Sequence, residues 1–75
     1  MSVVTLDTLK IGDSGKIVSI RLPATDARRL AEMGLTVGAF VKVQKLAPFG
    51  DPMEIVVRGY HLSLRQLEAS GIEVE

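Results

Sequence analysis

The stretch Leu30-Ala-Glu-Met-Gly-Leu-Thr-Val-Gly38 constrains this chain more than any other, because it spells out both the end of a helix and the way out of it. Ala27, Leu30 and Ala31 recur at helical spacing, so one stripe of a short preceding helix is apolar. Gly34 then stands where a helix C-terminus favours a residue at positive φ, which glycine reaches without a Cβ clash. With Gly34 at C′, Leu35 falls at C″ and Leu30 at C3, the apolar pair that accompanies a Schellman ending. Gly38 allows a second change of direction, after which the pattern switches from helical to alternating. A helix laid on a small sheet is the arrangement this corner predicts.

The chain has 75 residues, enough for one domain, here residues 1–75, but not for a core enclosing a large substrate cavity. Hydrophobic residues make up 47% of it, which predicts a packed fold rather than disorder. Nine basic and nine acidic side chains cancel, so the chain lacks the basic footprint of a dedicated nucleic-acid binder. The absence of cysteine excludes disulfides, zinc–thiolate sites, iron–sulfur clusters and thiol catalysis. The N-terminus, Met-Ser-Val-Val-Thr-Leu-Asp, has neither the basic nor the long apolar region of a signal peptide. No apolar run approaches the roughly 20 residues that span a bilayer. A soluble cytoplasmic domain is expected.

Along the chain, Thr5 to Ile11 reads as a short strand and a turn, and Gly12-Asp-Ser-Gly15 as a dense turn signal. Gly15-Lys16 ends like a phosphate-binding loop, but Lys10 and Ile17 occupy the places of that motif's first glycine and its Ser or Thr. Ile17 to Leu22 alternates, with Val18, Ile20 and Leu22 on one face. Pro23 ends that strand, Thr25 is the expected N-cap, and a helix follows from about Asp26 to Met33. Val37 to Leu46 is the longest predicted strand, with Val37, Ala39, Val41 and Val43 inward and Leu46 on the wetter face. Ala47-Pro-Phe-Gly-Asp-Pro52 is written in turn residues, and Met53 to Tyr60 returns as a strand. Gly59 then lets the chain turn. Ser63 with Gln66 reads as a capping box opening a helical turn from Leu64 to Ser70. Gly71 is expected to repeat the Gly34 ending, with Leu67 packed on Ile72, before a last short strand to Val74.

These elements describe a mainly β domain: a small barrel of about five strands, one inserted helix and a helical turn before the last strand. The motifs Leu30-x-x-Met33-Gly34-Leu35-x-x-Gly38, Ala47-Pro-Phe-Gly-Asp-Pro52, Gly59, Leu62-Ser-Leu-Arg65 with Glu68-Ala69, and Ile72-x-Val74, in this order, resemble the FeoA family of ferrous iron transport accessory proteins. The resemblance runs from about Leu9 to Val74. It implies an SH3-like fold, a cytoplasmic role in bacterial ferrous iron uptake, and a partnership with the membrane GTPase permease FeoB. The same fold forms the C-terminal domain of iron-dependent repressors, but a short chain without a helix-turn-helix favours the transport accessory.

The residues themselves offer little chemistry. His61 is the only histidine, Asp51 sits in a turn where capping its own backbone is the ordinary job, and Glu32, Glu54 and Glu68 are dispersed. No catalytic group, cofactor or metal site is expected, and a ferrous site would combine histidines with carboxylates. With only Phe40, Phe49 and Tyr60 as aromatics and no tryptophan, a groove for proline-rich peptides is not expected either. A nucleic-acid surface would need Lys42, Lys45, Arg58, His61 and Arg65 to converge. The expected function is protein binding. Met33 off the helix stripe, Phe49 at a loop tip and Leu46 beside that loop are the candidate contact residues, if the helix packs beside the hairpin. The alternative for Phe49 is that it folds back over the open end of the barrel.

Overall fold

A computed structural model describes residues 3–75. The first two residues of the expected domain, which also begin the segment read for a signal peptide, lie outside them. The elements are β1 (Val4–Thr5), a 3-10 turn (Leu6–Thr8), β2 (Ser14–Ile20), α1 (Ala24–Ala31), β3 (Phe40–Leu46), β4 (Met53–Val57), β5 (Tyr60–Leu64), α2 (Gln66–Ala69) and β6 (Ile72–Val74). The strands form one antiparallel sheet in the order β1-β6-β2-β3-β4-β5. Its inner face holds a wholly apolar core, in which Leu6, Ile17, Leu30, Leu35, Val43, Ile55, Leu64 and Ile72 are at most 1% exposed. The mainly β class with two short helices is as the sequence predicts.

Among the described residues there are six strands rather than about five. The additional one is β5, where Leu62 and Leu64 are buried while His61 and Ser63 are exposed, which is strand alternation and not the start of a helix. It exists because Arg58 (φ 49°) and Gly59 (φ 82°) reverse the chain tightly between the paired residues Val57 and Tyr60. Positive φ at both central positions is the two-residue hairpin turn that matches strand twist. The opening segment also differs from its expected strand. After Thr5 the chain winds into the 3-10 turn, with Leu9 N–H donating to Leu6 O and Thr8 Oγ1 to Thr5 O (2.7 Å). Leu6 is thereby driven fully into the core.

Two irregularities shift the predicted strand faces. Gly15 and Ile17 are the buried residues of β2, and after a register shift between Ile17 and Ser19 it is Ile20, followed by Leu22, that packs on the core. A second shift, between Val43 and Lys45, brings Leu46 opposite Met53. Leu46 is therefore half-buried against the core and does not lie on a wet face. Each extra residue in a strand reverses the parity of the residues beyond it. Val37 precedes β3 and is exposed.

Helix α1 begins earlier than predicted. Pro23 holds the N-cap position, its carbonyl accepting the Ala27 N–H, and Thr25 lies inside the first turn without a capping bond. Of the predicted stripe, Leu30 is buried, Ala27 is partly covered and Ala31 is exposed. At the C-terminus Leu35 N–H donates to Leu30 O (3.1 Å) and Gly34 N–H to Ala31 O (3.0 Å), with Gly34 at φ 91°. Gly38, at φ 96°, then turns the chain into β3 by donating its N–H to Ile17 O.

The second helix ends differently. Gly71 has no positive φ, and Leu67, the expected partner of Ile72, is 84% exposed. Gly71 is required instead by close approach: a Cβ there would stand 2.6 Å from Arg21 O, while Gly71 O accepts the Arg21 N–H. The N-cap of α2 is Arg65, not Ser63, which stays in β5 opposite Glu54. Arg65 N–H donates to Glu68 Oε1 (2.9 Å), half of a capping box shifted two residues along the chain.

Candidate functional site

Asp51 does not cap its own turn. Its Oδ1 accepts the N–H of Gln66 at 3.0 Å, satisfying one of the orphan donors at the start of α2 from the loop between β3 and β4. A helix of one turn has little stability alone, so this bond and the Arg65–Glu68 bond define where it sits. Arg29 of α1 reaches Glu68 Oε2 at 2.6 Å and joins the first helix to the same assembly. With half of the Arg29 side chain in solvent, that ion pair adds modestly to stability and serves mainly as alignment.

The three residues predicted to form a contact patch do not come together. Met33 adjoins Gly34, whose carbonyl accepts Arg58 Nε (3.0 Å) at the β4–β5 turn. Phe49 lies in the β3–β4 loop, at the opposite end of β4. The four residue steps of β4 separate these ends by roughly 13 Å at strand spacing. Leu46, opposite Met53 at the loop end of β4, packs on the core. Phe49 is 95% exposed, so it does not fold back over the barrel end. Its neighbour in exposure is Leu67, which the sequence pattern placed against Ile72. The Asp51–Gln66 bond sets the two on the same end of the molecule. Nothing local marks Leu67 as exposed, because its orientation depends on how α2 is pinned.

Beside Leu67 an open groove runs between the 3-10 turn, α1, the β3–β4 loop and α2. It is lined by the carboxylates of Asp7, Asp26, Asp51 and Glu68 against the guanidiniums of Arg29 and Arg65, an acidic excess of two on a chain of zero net charge. Asp7 Oδ1 is buried there without a hydrogen-bond partner.

The basic residues needed for a nucleic-acid surface are split. Lys42 and His61 flank Val56 in one row of the outer sheet face, with Lys45, Glu54 and Ser63 in the next. His61 Nδ1 stands 3.6 Å from Glu54 Oε2, so an acidic group interrupts the positive residues. Arg58 is turned onto Gly34, and Arg65 sits at the other end of β5. Among the described residues no three His, Asp or Glu side chains group as metal ligands would, and no helix is long and apolar enough to cross a membrane.

Comparison with known proteins agrees with this architecture. A profile of the FeoA domain matches residues 4–75. A fusion of Fe(2+) transport protein A with the Fe(2+) transporter FeoB from Porphyromonas gingivalis is 36% identical over 70 residues, which are 93% of this chain but only 8% of that protein. The solution structure of FeoA from Chlorobium tepidum superposes with a TM-score of 0.89 at 39% identity, covering 95% of this chain and 69% of that one. FeoA from Stenotrophomonas maltophilia, described as a prokaryotic SH3 domain protein and solved with zinc, gives 0.78 at 32% identity over 96% and 89% of the two chains. A manganese-dependent transcriptional repressor shares the fold, at 19% identity and a TM-score of 0.85. The SH3-like sheet, the Gly34 corner and the match over nearly the whole length place this chain in the FeoA family, whose members belong to ferrous iron transport.

Proposed function

We propose that this chain is a non-catalytic accessory protein of ferrous iron uptake, acting on the cytoplasmic side of the membrane by binding a FeoB-type permease. The observation that carries this reading is the Porphyromonas gingivalis relative, in which a matching domain and the transporter share one polypeptide. Fusion holds two modules at an effective concentration of about millimolar when the linker is short, and separate chains must supply the same encounter by affinity. This chain spans only 8% of that protein. The one histidine is on the outer sheet face, away from the groove. Ferrous iron is then the permease's cargo and not a resident ligand of this domain.

The test is a pull-down using the tagged full-length chain against the permease's GTPase domain and the full-length permease separately, each with and without guanine nucleotide. Specific retention of either supports the proposal. Failure of both, together with unimpaired iron uptake in a strain lacking this chain, rejects it. A nucleic-acid role predicts retention on heparin that falls steeply with salt; the balanced charge and the interrupted basic row argue against that outcome.

A further inference from the structure

We infer that the partner-binding surface is the end of the molecule formed by the β3–β4 loop and α2, and that its occupant is a cytoplasmic segment of the permease in which a lysine or arginine is flanked by apolar side chains. This inference rests on the reading that the chain binds such a permease. Phe49 and Leu67 are the two most exposed large apolar side chains among the described residues, at 95% and 84%. Neither contributes to the core. Aromatic and large aliphatic groups held in water without an intramolecular role are the composition of binding anchors. The Asp51–Gln66 hydrogen bond fixes the loop bearing one relative to the helix bearing the other. Part of the ordering cost of binding is thus met in folding.

The groove beside Leu67 supplies the charge preference. Glu68 is occupied by Arg29, whereas among the described residues Asp7, Asp26 and Asp51 have no cationic group within salt-bridge distance. Asp7 Oδ1 is buried and accepts no hydrogen bond. An ammonium or guanidinium entering the groove would meet the carboxylates of Asp26 and Asp51 on its wall with charge-assisted bonds. The same acidic excess disfavours a phosphate or an anionic headgroup as occupant. The carboxylates do not gather closely enough to act together as metal ligands. A basic side chain between apolar neighbours meets both halves of the surface.

The experiment measures binding of the full-length chain to detergent-solubilised permease by biolayer interferometry at two salt concentrations. Phe49→Ala and Leu67→Ala are expected to keep the wild-type melting temperature and to weaken binding by about tenfold or more, as loss of an interface anchor does. Asp26→Lys is expected to weaken binding and to reduce its salt dependence. Met33→Ala, at the other end of β4, is expected to bind as wild type. A peptide scan of the permease's cytoplasmic segments is expected to select a segment containing Lys or Arg. If wild-type chain binds while Phe49→Ala and Leu67→Ala bind equally well, this surface is wrong and the proposed function stands. Selection of a segment without a basic residue overturns the assigned occupant. If the wild-type chain itself fails to bind the permease in any nucleotide state, the function and the surface fall together.

Discussion

Replacing Gly34 by alanine tests the corner on which the fold turns, and the structure permits an estimate of its cost. Gly34 lies at φ 91°, beyond the narrow left-handed well that an L-residue tolerates, which contributes ~1–2 kcal/mol. The added Cβ would also stand 2.8 Å from Arg58 Cδ and 3.2 Å from Arg58 Cβ. Arg58 cannot swing away freely, because its own backbone is at φ 49° and its Nε donates to Gly34 O. Displacing it forfeits that hydrogen bond, worth about 0.5–1.5 kcal/mol. Together the terms predict a loss of ~1.5–3.5 kcal/mol. A domain of this size is stable by roughly 4–11 kcal/mol, and each kcal/mol moves Tm by about 4–8 °C. Urea denaturation followed by circular dichroism would read the loss as a lower midpoint at constant slope. Arg58→Gly, which removes the clashing side chain and relaxes the positive φ, separates the contributions. In that background Gly34→Ala should cost only the backbone term, ~1–2 kcal/mol. Strictly additive single and double mutants would refute the steric argument, and an unchanged Gly34→Ala midpoint would refute the whole account.

Gly71→Ala is expected to destabilise by ~1–3 kcal/mol for a different reason, overpacking against the Arg21 carbonyl, since a main-chain oxygen 2.6 Å away cannot rotate aside; a melting temperature equal to wild type would rule this out. Asp51→Ala removes the remote acceptor of the Gln66 N–H and should cost ~0.5–2 kcal/mol, the range of N-cap deletions, with Asp51→Asn recovering most of it. Equal loss in both variants would show that the side-chain oxygen is not what matters. The isolated chain should show no tight ferrous site, having no cysteine and one histidine. Anaerobic calorimetry revealing stoichiometric submicromolar Fe²⁺ binding would contradict that expectation.

A common cause underlies the features of the candidate surface. Phe49 reaches solvent because its loop is anchored two residues later, at Asp51, to an amide of α2. Leu67 reaches solvent because the same contact, with Glu68 bonded to both Arg65 and Arg29, sets the rotation of that single helical turn. The groove is acidic because the 3-10 turn and the first turn of α1 bring Asp7 and Asp26 to its wall. A loop, two helices and the segment after β1 must all be in place before the surface exists.

What the sequence determined by itself was local. The apolar stripe and glycine at Leu30–Gly34, the alternation through Val41 and Val43, and the turn residues from Ala47 to Pro52 each depend on the conformational preferences of a few consecutive residues. The family could be read from the order of such pieces. What the tertiary structure alone decided was pairing and parity. The register shift at Val43/Lys45 moved Leu46 from the expected wet face onto the core, as the one at Ile17/Ser19 changed the inward residues of β2, and a shift is chosen by the partner strand as much as by the strand itself. Gly71 looked like a second Gly34, but its necessity comes from the Arg21 carbonyl, fifty positions earlier in the chain. Asp51 looked like a turn residue and proved to accept the amide of Gln66, at the start of a helix fifteen positions on. A short-range pattern can report which conformations a residue tolerates; which neighbour it meets is settled only when distant segments pack.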